Sequence, residues 1–139
     1  MKPSWLFWVI GIFALIWTLF GAFDLTMTVT QNADYLSGYD PDLLAYWFDL
    51  PAWRYVLWVG GILSTLAGSV LFLMRRGQAV PLLWVAPVFM VIGVIADGLN
   101  GVYTDYGVQG LLASIFIISF YVLFAGYASW QRRRGVLRA

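Results

Sequence analysis

Four apolar runs, each long enough to cross a lipid bilayer, leave this chain few ways to fold. A span needs about 20 largely apolar residues at roughly 1.5 Å of rise per residue. The first run extends from Trp5 to about Phe23 and should continue as helix to about Thr30; the others cover about Ala52 to Met74, Ala79 to Ala96 and Val108 to Trp130. As a soluble domain, a chain of 139 residues that is 62% hydrophobic and 11% charged would lack the polar surface to cover its core. The expected class is all-α: an antiparallel bundle of four transmembrane helices forming a single domain over 1–139. Its helices are expected at about 4–30, 52–74, 79–98 and 108–131. The first run is read as a retained helix rather than a cleaved leader, because Asp24 and further polar residues follow a run already of spanning length.

The charges are sorted between the two sides that these runs define. Lys2, Arg75, Arg76, Arg132, Arg133, Arg134 and Arg138 flank one side. All seven acidic residues, Asp24, Asp34, Asp40, Asp42, Asp49, Asp97 and Asp105, belong to the other, together with Arg54. Since Lys and Arg bias sets orientation, a multi-pass topology with both termini cytoplasmic is expected. The link Arg75-Arg76-Gly77-Gln78 is too short to pass around another helix, so the second and third spans must be antiparallel neighbours. Gly77 reads as the C-cap that ends the second span. Pro81 falls in a first helical turn, where a missing N–H is harmless. Pro87 falls inside the third span, where it is expected to kink the helix, as a structural feature or as a gating hinge.

Between the first two spans, Asp40-Pro41 reads as an N-cap with proline at the first helical position, and Pro51 stops the helix that they start. Leu43, Leu44, Trp47, Phe48 and Leu50 share one side of it, so a short outer amphipathic helix is expected over about 41–50, capping the bundle or docking a partner. Trp5, Trp8 and Trp130 mark one interface; Trp47, Trp53, Tyr55, Tyr103 and Tyr106 mark the other. Trp17, Trp58 and Trp84 read as packing residues or as cavity walls. Gly60, Gly61, Ser64, Thr65, Gly68 and Ser69 recur at intervals of three and four, a strip of small side chains suited to packing within one bundle or between two copies.

Zero cysteines and zero histidines remove thiolate and imidazole chemistry, and with them the usual zinc, copper, haem and iron–sulfur ligands. No glutamate is present, the one lysine is terminal, and the remaining aspartates, tyrosines and serines follow no catalytic spacing, so no enzyme activity and no cofactor is expected. The basic residues sit where the topology already explains them, and nucleic acid is not an expected partner. Expected partners are the lipid bilayer and a second copy or other membrane subunits.

Asp24 and Asp97 are the residues most suggestive of a site. Both lie near the outer edge of the hydrocarbon. Trp17, Gly21, Asp24 and Thr28 share one helix face, and Gly93, Asp97 and Asn100 share another. If those faces meet, an outward-opening pocket holds two carboxylates, an amide and a hydroxyl, with Asp105 and Gln109 at its edge. Such a cluster could bind a cation, share a proton or hydrogen-bond a sugar-like solute. The alternative is that both carboxylates already sit among solvated headgroups. Arg54 could reach Asp24, Asp49 or Asp105 as a structural ion pair.

The aromatic start Pro3-Ser4-Trp5-Leu6-Phe7-Trp8, then Leu15-Ile16-Trp17, Gly21 and Phe23-Asp24, form the first part of a recognisable order of features. Thr30-Gln31-Asn32, Pro51-Ala52-Trp53, Gly60-Gly61 and Arg75-Arg76 before Ala79-Val80-Pro81 continue it. This order resembles a group of small four-helix proteobacterial inner-membrane proteins labelled as sugar transporters, over most of the first two helices and the following loop. The resemblance implies the inner membrane and a sugar-like solute, and it singles out no functional residue. Two roles are therefore expected to compete: a solute transport or binding protein with an outward carboxylate site, and a non-catalytic accessory or assembly subunit of a larger membrane complex.

Overall fold

The computed structural model describes residues 1–139 and, one isolated β-bridge apart, is entirely helical. In chain order the helices are α1 (Trp5–Val29), α2 (Ala33–Leu36), α3 (Pro41–Phe48), α4 (Ala52–Leu73), α5 (Ala79–Leu99), α6 (Val102–Asp105) and α7 (Gln109–Arg133). Helices α1, α4, α5 and α7 are long and apolar enough to cross a membrane and form an antiparallel bundle. Their outer surfaces carry large apolar side chains, among them Phe20 at 68% and Leu123 at 72% exposure, as a lipid-facing surface requires. One end of the bundle is basic and the other acidic.

Helices α4 and α5 form the most extensive pair, with α1 packed on α4 and α7 packed on α5. The small residues of α4 make this possible. A Cβ on Gly68 would stand 2.8 Å from Leu83 Cδ2, one on Gly60 would stand 3.1 Å from Phe89, and Gly61 lies directly against the Ala86 backbone. The strip is thus spent inside the bundle, where glycine lets two helix backbones approach. Trp17 closes the ring between α1 and α7, its indole 4.8 Å from the Phe120 ring centroid and 6.4 Å from that of Phe116. It is a packing residue. Helix α5 continues across Pro87, whose ring is buried beside Ala86.

The basic half of the bundle contains the main core. Phe7 stacks on Phe72 at 4.2 Å, Phe72 meets Phe124 edge-on at 5.3 Å, and Leu83, Ala125 and Ala128 fill the space around them. Val136 and Leu137 of the C-terminal tail join this core at 2% and 3% exposure. The tail is held by backbone: Arg138 N donates to Arg75 O at 2.7 Å, and Gly77 N donates to Arg138 O at 2.6 Å.

That contact corrects the expected role of Gly77. The left-handed residue ending α4 is Arg75, with φ 61°. Arg75 N donates to Phe72 O and Arg76 N to Leu71 O, both at 2.8 Å, which completes a Schellman cap without glycine. Gly77 is required instead by the tail, since a Cβ there would lie 3.0 Å from Arg138 O. By contrast, α7 ends at Gly135 with φ 73°, and the same two hydrogen bonds direct Val136 inward.

Candidate functional site

At the acidic end, α3 is an amphipathic helix built as its residues predict. Asp40 accepts from Asp42 N at 2.8 Å and from Leu43 N at 3.4 Å, and Pro41 occupies the first turn. Its half-buried side chains include Leu43, Leu44, Tyr46 and Trp47, while Asp42 and Asp49 are exposed. Side chains, rather than close backbone approach, dock it. Tyr55 of α4 donates to Trp47 O at 2.6 Å, and Tyr46 OH donates to Asp97 Oδ1 of α5 at 2.9 Å.

Asp97 is the hub of the site. Arg54 Nη2 reaches the same oxygen at 2.8 Å, with the Arg54 side chain 9% exposed and that of Asp97 21% exposed. Gly93, one turn earlier on α5, leaves room for the guanidinium; a Cβ there would lie 3.6 Å from Arg54 Nη2. Asn100 Nδ2 donates to Tyr46 OH at 3.2 Å, so α3, α4 and α5 are joined through one carboxylate. Two buried polar atoms beside it have no hydrogen-bond partner, Arg54 Nη1 and Tyr103 OH. Burial first, and the Asp97 charge second, hold the Tyr103 phenol above its ordinary value.

Asp24 belongs to a separate cluster. Its Oδ1 accepts from Tyr35 OH of α2 at 2.6 Å, and the Tyr35 ring packs edge-on against Phe23 at 5.6 Å. That hydrogen bond is the leading cause holding the Tyr35 phenol at about 12. Thr28 is buried at 2% exposure and donates to the backbone oxygen of Asp24 at 2.8 Å, which commits its proton to its own helix.

No contact therefore unites Asp24 with Asp97. Helices α1 and α5 both pack on α4. The Gly21 face of α1 looks at Ile62, and the Gly93 face of α5 looks at Arg54, both residues of α4. Arg54 pairs with Asp97 rather than with Asp24, Asp49 or Asp105. Asp105 is exposed in α6, its Oδ2 folded back to within 3.5 Å of where a Cβ on Gly101 would stand. Of the expected residues, Asp97 and Asn100 come together, Asp24 and Thr28 share a turn of α1, and Asp105 stands apart.

An open cleft of about 610 Å³ lies beside the Asp97 cluster, lined by Asp42, Tyr46, Asp49, Pro51, Asn100 and Tyr106 among others. No family model, curated protein or solved structure matches the chain. Sequence reasoning overlooked Tyr46 and Tyr35. Tyr46 was within reach of it, because it lies three residues after Leu43 and four before Leu50, on the inward stripe of α3. Tyr35 gave no such signal, since the turn that brings it back over Asp24 depends on Gln31 adopting a left-handed φ of 53°.

Proposed function

We propose that this chain is a small inner-membrane protein, with both termini cytoplasmic, that binds a polyhydroxylated, sugar-like solute at its acidic, outward end. The observation that carries the reading is the cleft whose wall residues, Tyr46 and Asn100, are hydrogen-bonded into the Arg54–Asp97 pair. Carboxylates at Asp42 and Asp49 accept hydroxyl protons, the Asn100 amide offers donors and an acceptor, and the rings of Tyr46 and Tyr106 supply flat apolar surface. Anchoring to a buried ion pair holds two of these groups in place before a ligand arrives. The segregation of Lys and Arg supports the orientation, and the resemblance to inner-membrane proteins labelled as sugar transporters agrees with the membrane and the solute class.

The test is tryptophan fluorescence of the purified full-length protein in nanodiscs, titrated with hexoses, disaccharides, polyols, and sodium, potassium and calcium salts. Saturable quenching by one sugar class, weakened about tenfold or more by Asn100→Ala and by Asp49→Asn, is the expected result. Quenching by cations alone, or by none of these ligands, overturns it.

A second reading has its own observation. The basic half is filled by Phe7, Phe72 and Phe124 and sealed by Val136 and Leu137, so a single bundle offers no route for a solute beyond the cleft. This favours a binding or accessory role over a permease acting as a monomer. Co-purification with other membrane polypeptides in fixed stoichiometry, observed by native mass spectrometry of gently extracted protein, would establish the accessory subunit.

A further inference from the structure

The opposite end of the bundle holds a second polar feature. Seven of the eight Lys and Arg side chains gather there with no aspartate or glutamate among them. The protein's one ion pair, Arg54–Asp97, is at the other end, so none of the seven is neutralised by a side chain. Orientation in the membrane explains why cations sit on this side. It does not explain why residues from both extremes of the chain converge on one recess.

Lys2, Ser4 and Leu6 from the start of the chain, and Trp130, Gln131 and Arg134 from the close of α7, line a hollow of about 100 Å³. Its walls are tied together. Arg75 Nη2 donates to Met1 O at 2.9 Å, and Arg75 Nε donates to Val136 O at 3.1 Å, so one side chain holds both segments. The Arg134 guanidinium lies 4.4 Å over the Trp130 ring, which holds its charge at the rim. Leu6 and Trp130, 44% and 45% exposed, form an apolar rim continuous with the lipid-facing surface of α1 and α7.

A phosphate-sized recess bordered by two exposed cationic side chains, a hydroxyl and an apolar rim matches the junction of a lipid headgroup with its acyl chains. We propose that this recess binds the phosphate of an anionic phospholipid. Lys2 and Arg134 supply the charge, Ser4 donates a hydrogen bond, and the acyl chains run along Leu6 and Trp130. A free phosphate would use the same cations and leave the apolar rim idle.

The test is native mass spectrometry of the full chain released from nanodiscs holding equal amounts of phosphatidylglycerol and phosphatidylcholine. The wild-type protein should retain phosphatidylglycerol preferentially. Removal of each charge should weaken that retention about fivefold, so Lys2→Gln with Arg134→Gln together should weaken it on the order of twentyfold. Arg134→Lys should keep most of it, and Arg133→Gln, the same charge change outside the recess, should leave it within about twofold. Equal retention of the two lipids, an equal loss in Arg133→Gln, or displacement of the lipid by inorganic phosphate at millimolar concentration would overturn the proposal. Lys2 is exposed at the chain terminus, so Lys2→Gln alone carries the test if Arg134→Gln disturbs folding.

Discussion

Arg54, at the entry of α4, donates to Asp97, near the exit of α5, at 2.8 Å, and the same Asp97 oxygen also accepts from Tyr46 of α3. One carboxylate oxygen thus fixes the relative positions of three helices at the acidic end. The neighbouring tyrosine and amide then inherit their positions from that pair, which is how a cleft formed by a surface helix can be rigid.

Removing one partner of this pair should cost far more than removing both. Arg54→Ala strands a mostly buried carboxylate and is expected to lower stability by about 2–3 kcal/mol, below the range for fully buried pairs because Asp97 is 21% exposed. Arg54→Met with Asp97→Leu should recover most of the loss. Thermal unfolding in one detergent, followed by circular dichroism, compares the single and double variants; a double variant as unstable as the single one would assign the loss to packing instead.

Glycines on α4 and α7 should respond oppositely to alanine. Gly68→Ala places a Cβ 2.8 Å from Leu83 Cδ2 and should destabilise by about 1–3 kcal/mol. Gly126→Ala meets nothing within 4 Å and should be neutral or stabilising by up to about 1 kcal/mol. Denaturant unfolding in mixed micelles ranks the two, and equal responses would contradict the close α4–α5 contact.

The Asp24–Tyr35 hydrogen bond predicts a pH dependence. Because Tyr35 is held at about 12 against an ordinary 10.0, its contribution to stability is complete below pH 10 and is lost as the pH rises through about 12. Tyrosinate absorbance should lose one late-titrating phenol, the one near pH 12, in Tyr35→Phe. Identical titrations of the two proteins would count against the contact.

The tail should behave as part of the core. Leu137→Ala is expected to cost about 2–3 kcal/mol, the lower part of the range for buried leucine, because the tail lies at the end of the bundle. Gly77→Ala, which crowds Arg138 O, should loosen the same segment. Hydrogen exchange at Gly77 N and Arg138 N reports it directly, since both bonds exist only while the tail is docked.

The amino-acid order alone was enough for the class of fold, the four spans, the amphipathic α3 and its Asp40-Pro41 start. A bilayer of given thickness turns run length and hydropathy into helices, and capping chemistry is local. It also placed Asp97 and Asn100 on one face, because helical periodicity carries that much. Helix packing settled that Asp24 and Asp97 part company, that Arg54 pairs with Asp97, and that Gly77 serves the C-terminal tail rather than the end of α4. Each of those outcomes depends on which helix lies beside which and at what rotation. Four hydrophobic cylinders of similar composition leave that choice open until glycine contacts such as Gly68 on Leu83 and a single desolvated ion pair select one arrangement.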